Sequence, residues 1–376
     1  MAIRKSVAVL AGAAVALAAF AGCTPSPTPS ASPNTESGSA APAGDTLIGI
    51  TMPTVSLERW NNDGKGLVDQ LEKAGYKTML DYGDNKNEQQ IQQIENQINA
   101  GAKVLVIASI DGSTLGPTLA KAKEKGITVL AYDRLIMKTP DVDYYATFDN
   151  YLIGKLQGEF IKEKLDLDNA AGPFNFEPFA GSPDDNNASL FFQGAWDVLK
   201  PYVDSGKLVI QSETGKKAAS NWQDIGILEW KATTAQSEME TRLNSYYTDK
   251  KVNVVLSPND SLALGIAQAL ETKGYTPGPE YPVLSGQDGD KPNLKLILAD
   301  KQSMTVWKDT RLLAAQVAKM VDQIVKGETV ETNNTDTYNN GVKVLPSYLI
   351  TPEVIVKDQI QEKLVGSGFV TEDDLK

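Results

Sequence analysis

The chain has 376 residues, 41% hydrophobic and 22% charged, the balance of a folded soluble protein with room for two domains of ordinary size. Lys and Arg number 36 against 48 Asp and Glu, so no basic surface is available to displace phosphate counterions, which argues against a nucleic-acid partner. Histidine is absent, which removes the commonest metal ligand and the usual proton shuttle, and the single cysteine rules out a disulfide framework within one chain.

Arg4 and Lys5 precede an Ala/Val/Leu run from Ser6 to Phe20, followed by Ala21-Gly22-Cys23. This is the layout of an export signal over residues 1–22, and the run is shorter than the roughly 20 apolar residues a membrane span needs. Phe20-Ala21-Gly22-Cys23 resembles a bacterial lipobox with Phe in the place of the usual Leu. The resemblance implies cleavage before Cys23 and lipidation of its sulfur; an ordinary cleavage site beside a free cysteine is the other reading. Residues 23–45 are rich in Ser, Pro, Thr, Ala and Gly and bury too little to offset their ordering entropy, so they read as a flexible linker.

From Thr46 the sequence alternates short apolar runs with helical periodicity. Thr46 to Met52 predicts a strand, Trp60 to Ala74 a helix ended by Gly75, and Lys77 to Asp81 a second strand. Asn87 to Ala100 carries Ile91, Ile94 and Ile98 on one face and stops at Gly101; Lys103 to Ser109, Leu115 to Lys125 and Ile127 to Ala131 repeat the unit. Repeated strand–helix–strand units force parallel strands through right-handed crossovers. A second set follows Asp149-Asn150: helices over 152–165, 189–199, 235–247 and 261–273, with strands over 174–180, 208–211, 252–257 and 282–285. A helix over 291–299, a strand over 303–306, a long helix over 311–326 and a strand-like stretch over 342–350 precede a polar closing segment. The fold class is α/β, with two successive sets of similar length that suggest two similar lobes.

In open α/β sheets ligands bind beyond the carboxyl ends of the strands. Several strands end here on one kind of residue: Arg59-Trp60 after the first, Asp133-Arg134 after 127–131, Asp184-Asp185-Asn186-Asn187 after 174–180, Asn259 after 252–257, Asp288 after 282–285 and Lys308 after 303–306. Each charged pair alone reads equally well as a solvated turn, and Trp60 or Trp230 alone as core. At a shared mouth they form a polar site with flat apolar walls, the counterpart of a sugar. Carboxylates and amides accept from hydroxyls, Arg and Lys donate to them, and an indole covers the C–H face of the ring. The phosphate loop, the nucleophile elbow, the dinucleotide fingerprint and the zinc-protease motif are all missing. Asp184-Asp185 could serve a glycoside hydrolase only if these adjacent acids faced one bond.

Ser56–Trp60 (SLERW), Gln93–Gln97 (QIENQ), Lys103–Ile107 (KVLVI), Ala131–Leu135 (AYDRL), Gly181–Ala188 (GSPDDNNA) and Ser285–Asp288 (SGQD) resemble the xylose-binding and multiple-monosaccharide-binding proteins of bacterial ABC importers. These are type I periplasmic binding proteins, and the likeness runs from Thr46 to the end. It implies two Rossmann-like lobes joined by three hinge strands, crossing near Asp149-Asn150, Trp307-Lys308 and Gly341. The lobes would be 46–149 plus 309–340 and 150–308 plus 341–376. It implies a ligand set of Arg59, Trp60, Asp133 and Arg134 from the first lobe, with Asn187, Trp230, Asn259, Asp288 and Lys308 facing them. Glu177, Asp185 and Asn186 are weaker carry-overs, and Trp222 is an alternative to Trp230. The implied protein is a monomer without cofactor or enzymatic activity that captures a monosaccharide of the xylose, glucose or galactose type. Its partners would be an ABC permease with its ATPase, and the membrane through a lipid on Cys23. A sugar-sensing receptor for a signalling partner and a glycoside hydrolase are the alternatives.

Overall fold

The computed structural model describes residues 43–376. The signal segment, Cys23 and the linker up to residue 42 lie outside the described residues, and Ala43–Asp45 form one 3-10 turn. The first lobe opens with β1 (Leu47–Met52), α1 (Glu58–Lys73), β2 (Lys77–Tyr82), α2 (Asn87–Asn99), β3 (Val104–Ile107), α3 (Gly116–Glu124) and β4 (Thr128–Tyr132). Gly75, Gly101 and Gly126 follow the three helices at φ of 91°, 87° and 69°, the left-handed conformation that ends each helix and turns the chain back into the sheet.

The next strand, β5 (Tyr144–Phe148), was not expected from the sequence. It pairs with β4 in parallel, yet the connection between them is a loop rather than a helix, so the alternation that reveals the other strands is missing. The chain then crosses to the second lobe through α4 (Asn150–Lys164), β6 (Phe174–Pro178), α5 (Asn186–Asp204), β7 (Leu208–Val209), α6 (Glu213–Lys216), α7 (Ala232–Tyr246), β8 (Val254–Leu256), α8 (Asp260–Thr272), β9 (Val283–Leu284), β10 (Gln287–Asp288), α9 (Lys291–Leu298) and β11 (Thr305–Trp307). It returns through α10 (Thr310–Lys326), tied to the first lobe where Tyr76 Oη donates to Asp322 Oδ1 at 2.6 Å. Then come β12 (Ser347–Ile350) and β13 (Glu353–Ile355).

The first lobe is built on one six-stranded parallel sheet in the order β12-β5-β4-β3-β1-β2. The second holds a four-stranded parallel sheet, β7-β6-β8-β9, and a three-stranded one, β10-β11-β13, in which β13 runs antiparallel to β11. Both lobes are thus mixed α/β layers with buried parallel strands.

Two passages between the lobes lie at the capped starts of α4 and α10. Asp149 and Asp309 cap α4 and α10, accepting from Leu152 N and Arg311 N, with φ/ψ of −71°/95° and −71°/93°. The third does not lie at Gly341. Gly341, at φ 87°, sits in a tight reversal where Asn340 N donates to Lys343 O, and the chain stays with the first sheet until Ile350, whose strand pairs with β5. The third crossing therefore follows Ile350, and residues 341–350, expected in the second lobe, belong to the first.

Glu177, on β6, is a second correction: it points into the core of its own lobe. It accepts from Arg242 Nη1 at 3.1 Å, Tyr247 Oη at 2.6 Å, and Ser212 Oγ at 2.6 Å and N at 3.1 Å. Arg242 also donates to Pro178 O at 2.8 Å and lies over the Phe179 ring. Glu177→Ala would leave this guanidinium buried beside fewer acceptors, at a cost of roughly 3–5 kcal/mol. Denaturant unfolding of Glu177→Ala is expected to show that loss; an unshifted midpoint would show that the pair holds nothing.

Candidate functional site

The strand ends of both lobes face each other across a cavity whose empty space, open solvent included, is about 390 Å³. Arg59 and Trp60 come from the first turn of α1, and Asp133 and Arg134 directly follow β4. On the other side, Asn187 lies in the first turn of α5, Asn259 caps α8, and Asp288 ends β10. Trp230 precedes α7, and Lys308 follows β11 at the second crossing. All of these residues line the cavity, as does Asp185.

Arg59 is the electrostatic centre. Its guanidinium lies 3.0 Å from Asp63, 3.0 Å from Asp133 and 3.7 Å from Asp288. The Lys308 ammonium lies 2.8 Å from Asp288 and 3.8 Å from Asp133. Burial alone would push the Asp133 carboxyl up, but Arg59, Lys308 and Arg134 outweigh it and hold it below the ordinary range, so Asp133 is a carboxylate. Asp63 goes the other way: burial outweighs Arg59 and moves it up to about 6, and it accepts a short hydrogen bond from Tyr132 Oη. Arg134 Nε approaches Asp185 Oδ2 to 2.9 Å, while Nη1 donates to Ser109 O at 3.1 Å. Burial raises the Asp185 carboxyl, and the Arg134 charge opposes the rise.

The lobes are clasped at a second point. Asp133 O accepts from Tyr145 Oη at 2.6 Å, from Thr147 Oγ1 at 2.8 Å and, across the cleft, from Asn187 Nδ2 at 2.8 Å. This carbonyl anchorage holds Asp133 at φ 57°.

Two indoles form the walls. Trp60 is covered by Arg59 and Arg134, whose guanidinium carbons lie 4.2 and 5.2 Å from its centroid, within cation–π range. Trp230, at φ 55°, meets Phe191 edge-on at 6.3 Å. Its ring rests on Gly181, where an added Cβ would fall 2.0 Å from Cη2. Five cavity-lining atoms are buried without a hydrogen-bond partner among the described residues: Trp60 Nε1, Arg134 Nε, Trp230 Nε1, Gln287 Oε1 and Asp288 Oδ1. Of these, Arg134 Nε and Asp288 Oδ1 have ion-pair neighbours but no aligned hydrogen bond.

Glu177 lies away from this cavity, and Asn186 faces a neighbouring one. Trp222 packs half-buried on the second-lobe core, which leaves Trp230 as the indole at the cleft. Sequence reasoning passed over Gln287 and Asp290, though Gln287 lies inside the SGQD block, and Phe191, one turn beyond Asn187 on α5. It also passed over Asp63, four residues after Arg59 and so on the same helical face.

The periodic layout has known counterparts. The profile of the periplasmic binding protein domain matches residues 48–329. The multiple sugar-binding periplasmic receptor ChvE of Rhizobium radiobacter is 48% identical over 330 residues, covering 88% of this chain and 92% of that protein. The D-xylose-binding periplasmic protein of Escherichia coli is 37% identical over 336 residues, 89% of this chain and 94% of that one. Among solved structures, an ABC transporter solute-binding protein from Clostridium phytofermentans with bound β-D-glucose superposes with a TM-score of 0.84 at 50% identity, over 88% of this chain and 100% of that one. With the two-lobed architecture and this coverage, the chain belongs to the periplasmic binding protein family, in the group of the multiple-sugar-binding and xylose-binding proteins.

Proposed function

We infer that this chain captures one aldose between its lobes and delivers it to an ABC importer. The observation that carries the reading is the set of buried polar atoms without an aligned hydrogen bond that both lobes contribute to one cavity. Two indole N–H groups, a guanidinium N–H, an amide oxygen and a carboxylate oxygen are the partners a ring of hydroxyls satisfies. Asp133 and Asp288 serve as acceptors, Arg59, Arg134, Lys308 and Asn259 as donors, and Trp60 and Trp230 as the flat walls. Asn187 offers its second amide hydrogen, the first being used on Asp133 O. The names of the relatives support a monosaccharide of the xylose or glucose class. The group's character as binding proteins supports a role in capture rather than catalysis. The lipobox supports attachment of the mature chain, through Cys23, to the outer face of the cell membrane.

Calorimetric titration with xylose, glucose, galactose, arabinose and ribose is expected to show one-to-one binding of at least one of them; no heat with any would sink the reading. Asp133→Ala or Arg134→Ala strands buried partners and should cost at least about 2 kcal/mol of affinity. Gly181→Ala is expected to drive the Trp230 indole into the cavity and weaken binding at least tenfold, with the fold retained by circular dichroism. Unchanged affinity would mean that Trp230 is no wall of the site. For the anchor, labelled fatty acid should incorporate into the wild type and not into Cys23→Ala, which should be shed from the membrane; a membrane-bound variant would refute lipidation.

A further inference from the structure

Beside the sugar cavity lies a second interlobe cavity, whose empty space, open solvent included, is about 630 Å³. It is bounded by the segment after β3 (Ser109 to Ser113), the segment after β4 (Arg134 to Lys138), the loop before α5 (Pro183 to Asp185) and Asn186 at the start of α5. It too therefore sits beyond the carboxyl ends of parallel strands, with walls from both lobes. The two cavities share Arg134 and Asp185, an ion pair at 2.9 Å that forms part of the partition between them.

The outer walls are polar and of both signs. Asp111 and Asp184 bring carboxylates and Lys138 an ammonium. Among the described residues, the Lys138 ammonium and the Asn186 amide have no side-chain hydrogen bond or ion pair, so both are available to a ligand. At the partition, buried Arg134 Nε lies near Asp185 but makes no aligned hydrogen bond. A linking ether oxygen at that point would be a fitting acceptor for its N–H. Two carboxylates against one ammonium disfavour an anion, and the mixture of donors and acceptors favours neutral hydroxyls.

We propose that the outer cavity is a second sugar subsite, so that the cleft accepts a neutral disaccharide, one ring in each compartment and the glycosidic oxygen beside Arg134. This rests on the reading that the inner cavity holds an aldose. On that basis Lys138 and Asn186 touch only the second ring, and the Arg134–Asp185 partition opens to pass the linkage.

The test is calorimetry on the protein with xylose, glucose, xylobiose and cellobiose, in wild type, Lys138→Gln and Asn186→Ala. Expected is one-to-one binding of at least one disaccharide, weakened fivefold or more by each substitution, while monosaccharide affinity stays within twofold. Monosaccharide binding with no disaccharide binding overturns the subsite and leaves the aldose reading standing. Disaccharide binding insensitive to both substitutions, or a parallel loss for both ligand sizes, also overturns it. Absence of binding by any of the sugars overturns the aldose reading and the subsite with it.

Discussion

The buried Arg59 guanidinium is the constraint on which the cleft depends. At 7% exposure it has lost nearly all of its hydration, a cost of several kcal/mol that only close carboxylates offset. Those carboxylates come from α1 itself, from the end of β4 and, across the cleft, from the end of β10. The two lobes must therefore approach for Arg59 to be fully compensated. The charge is divided unequally. Asp133 faces the cavity as a carboxylate, and its contribution to stability is present above the ordinary carboxyl range and lost as pH falls through its depressed value. Asp63, raised to about 6 by burial, has the opposite sign: protonation favours the fold, so stability from this group grows as pH falls through about 6.

Backbone strain at the cleft is held by the same elements. Asp133, Trp230 and Asp288 adopt φ of 57°, 55° and 107°, regions that side chains seldom occupy and that cluster at functional sites. For Asp the left-handed region is mild; for Trp it is not. Each is fastened. Asp133 is anchored by β5, the Trp230 carbonyl accepts from Ser261 Oγ at 3.0 Å, and after Asp288 the Gly289 amide donates to Asp260 at 3.0 Å. Asp260 is itself fully enclosed, and burial, with Asp288 adding to it, lifts its carboxyl to about 8. The strain sets where the Asp133, Trp230 and Asp288 side chains project.

How much of this was legible follows from how local each signal is. Helices with an apolar stripe and a terminal glycine are written in contiguous residues, so α1, α2 and α3 could be read, and with them the strand ends that carry Arg59 and Asp133. Strands of two or three residues, such as β10 and β13, carry no periodicity to read. β5 was hidden because a loop replaces its crossover helix. The crossing near Gly341 was implied by the resemblance alone, and nothing in the residues around Gly341 states which sheet the chain rejoins after the reversal there. Glu177 was a weaker carry-over from the resemblance, and its local sequence is the same whether the acid faces a cleft or a buried arginine. Arg242, its partner, is 65 positions away.

The position of Lys308 ties the charges of the cleft to a crossing between the lobes. It is the residue between β11 and the Asp309 cap, so the cation nearest Asp288 belongs to the crossing itself. A ligand shifts an open–closed equilibrium only by what it binds differently in the two states. The cross-cleft pairs Arg59–Asp288 and Arg134–Asp185 cannot supply that difference, because the protein makes them unaided and buried pairs roughly repay their own desolvation. The difference must come from atoms that closure buries and the protein leaves unpaired. Trp60 Nε1 on one lobe and Trp230 Nε1 and Gln287 Oε1 on the other are such atoms. In the proposed function, closing over a ring of hydroxyls would satisfy them together, whereas closing without one would leave each a desolvation cost of about 1–3 kcal/mol. Under the proposed function the orphaned atoms would make closure conditional on the ligand, with the charge pairs fixing the geometry of the closed cleft.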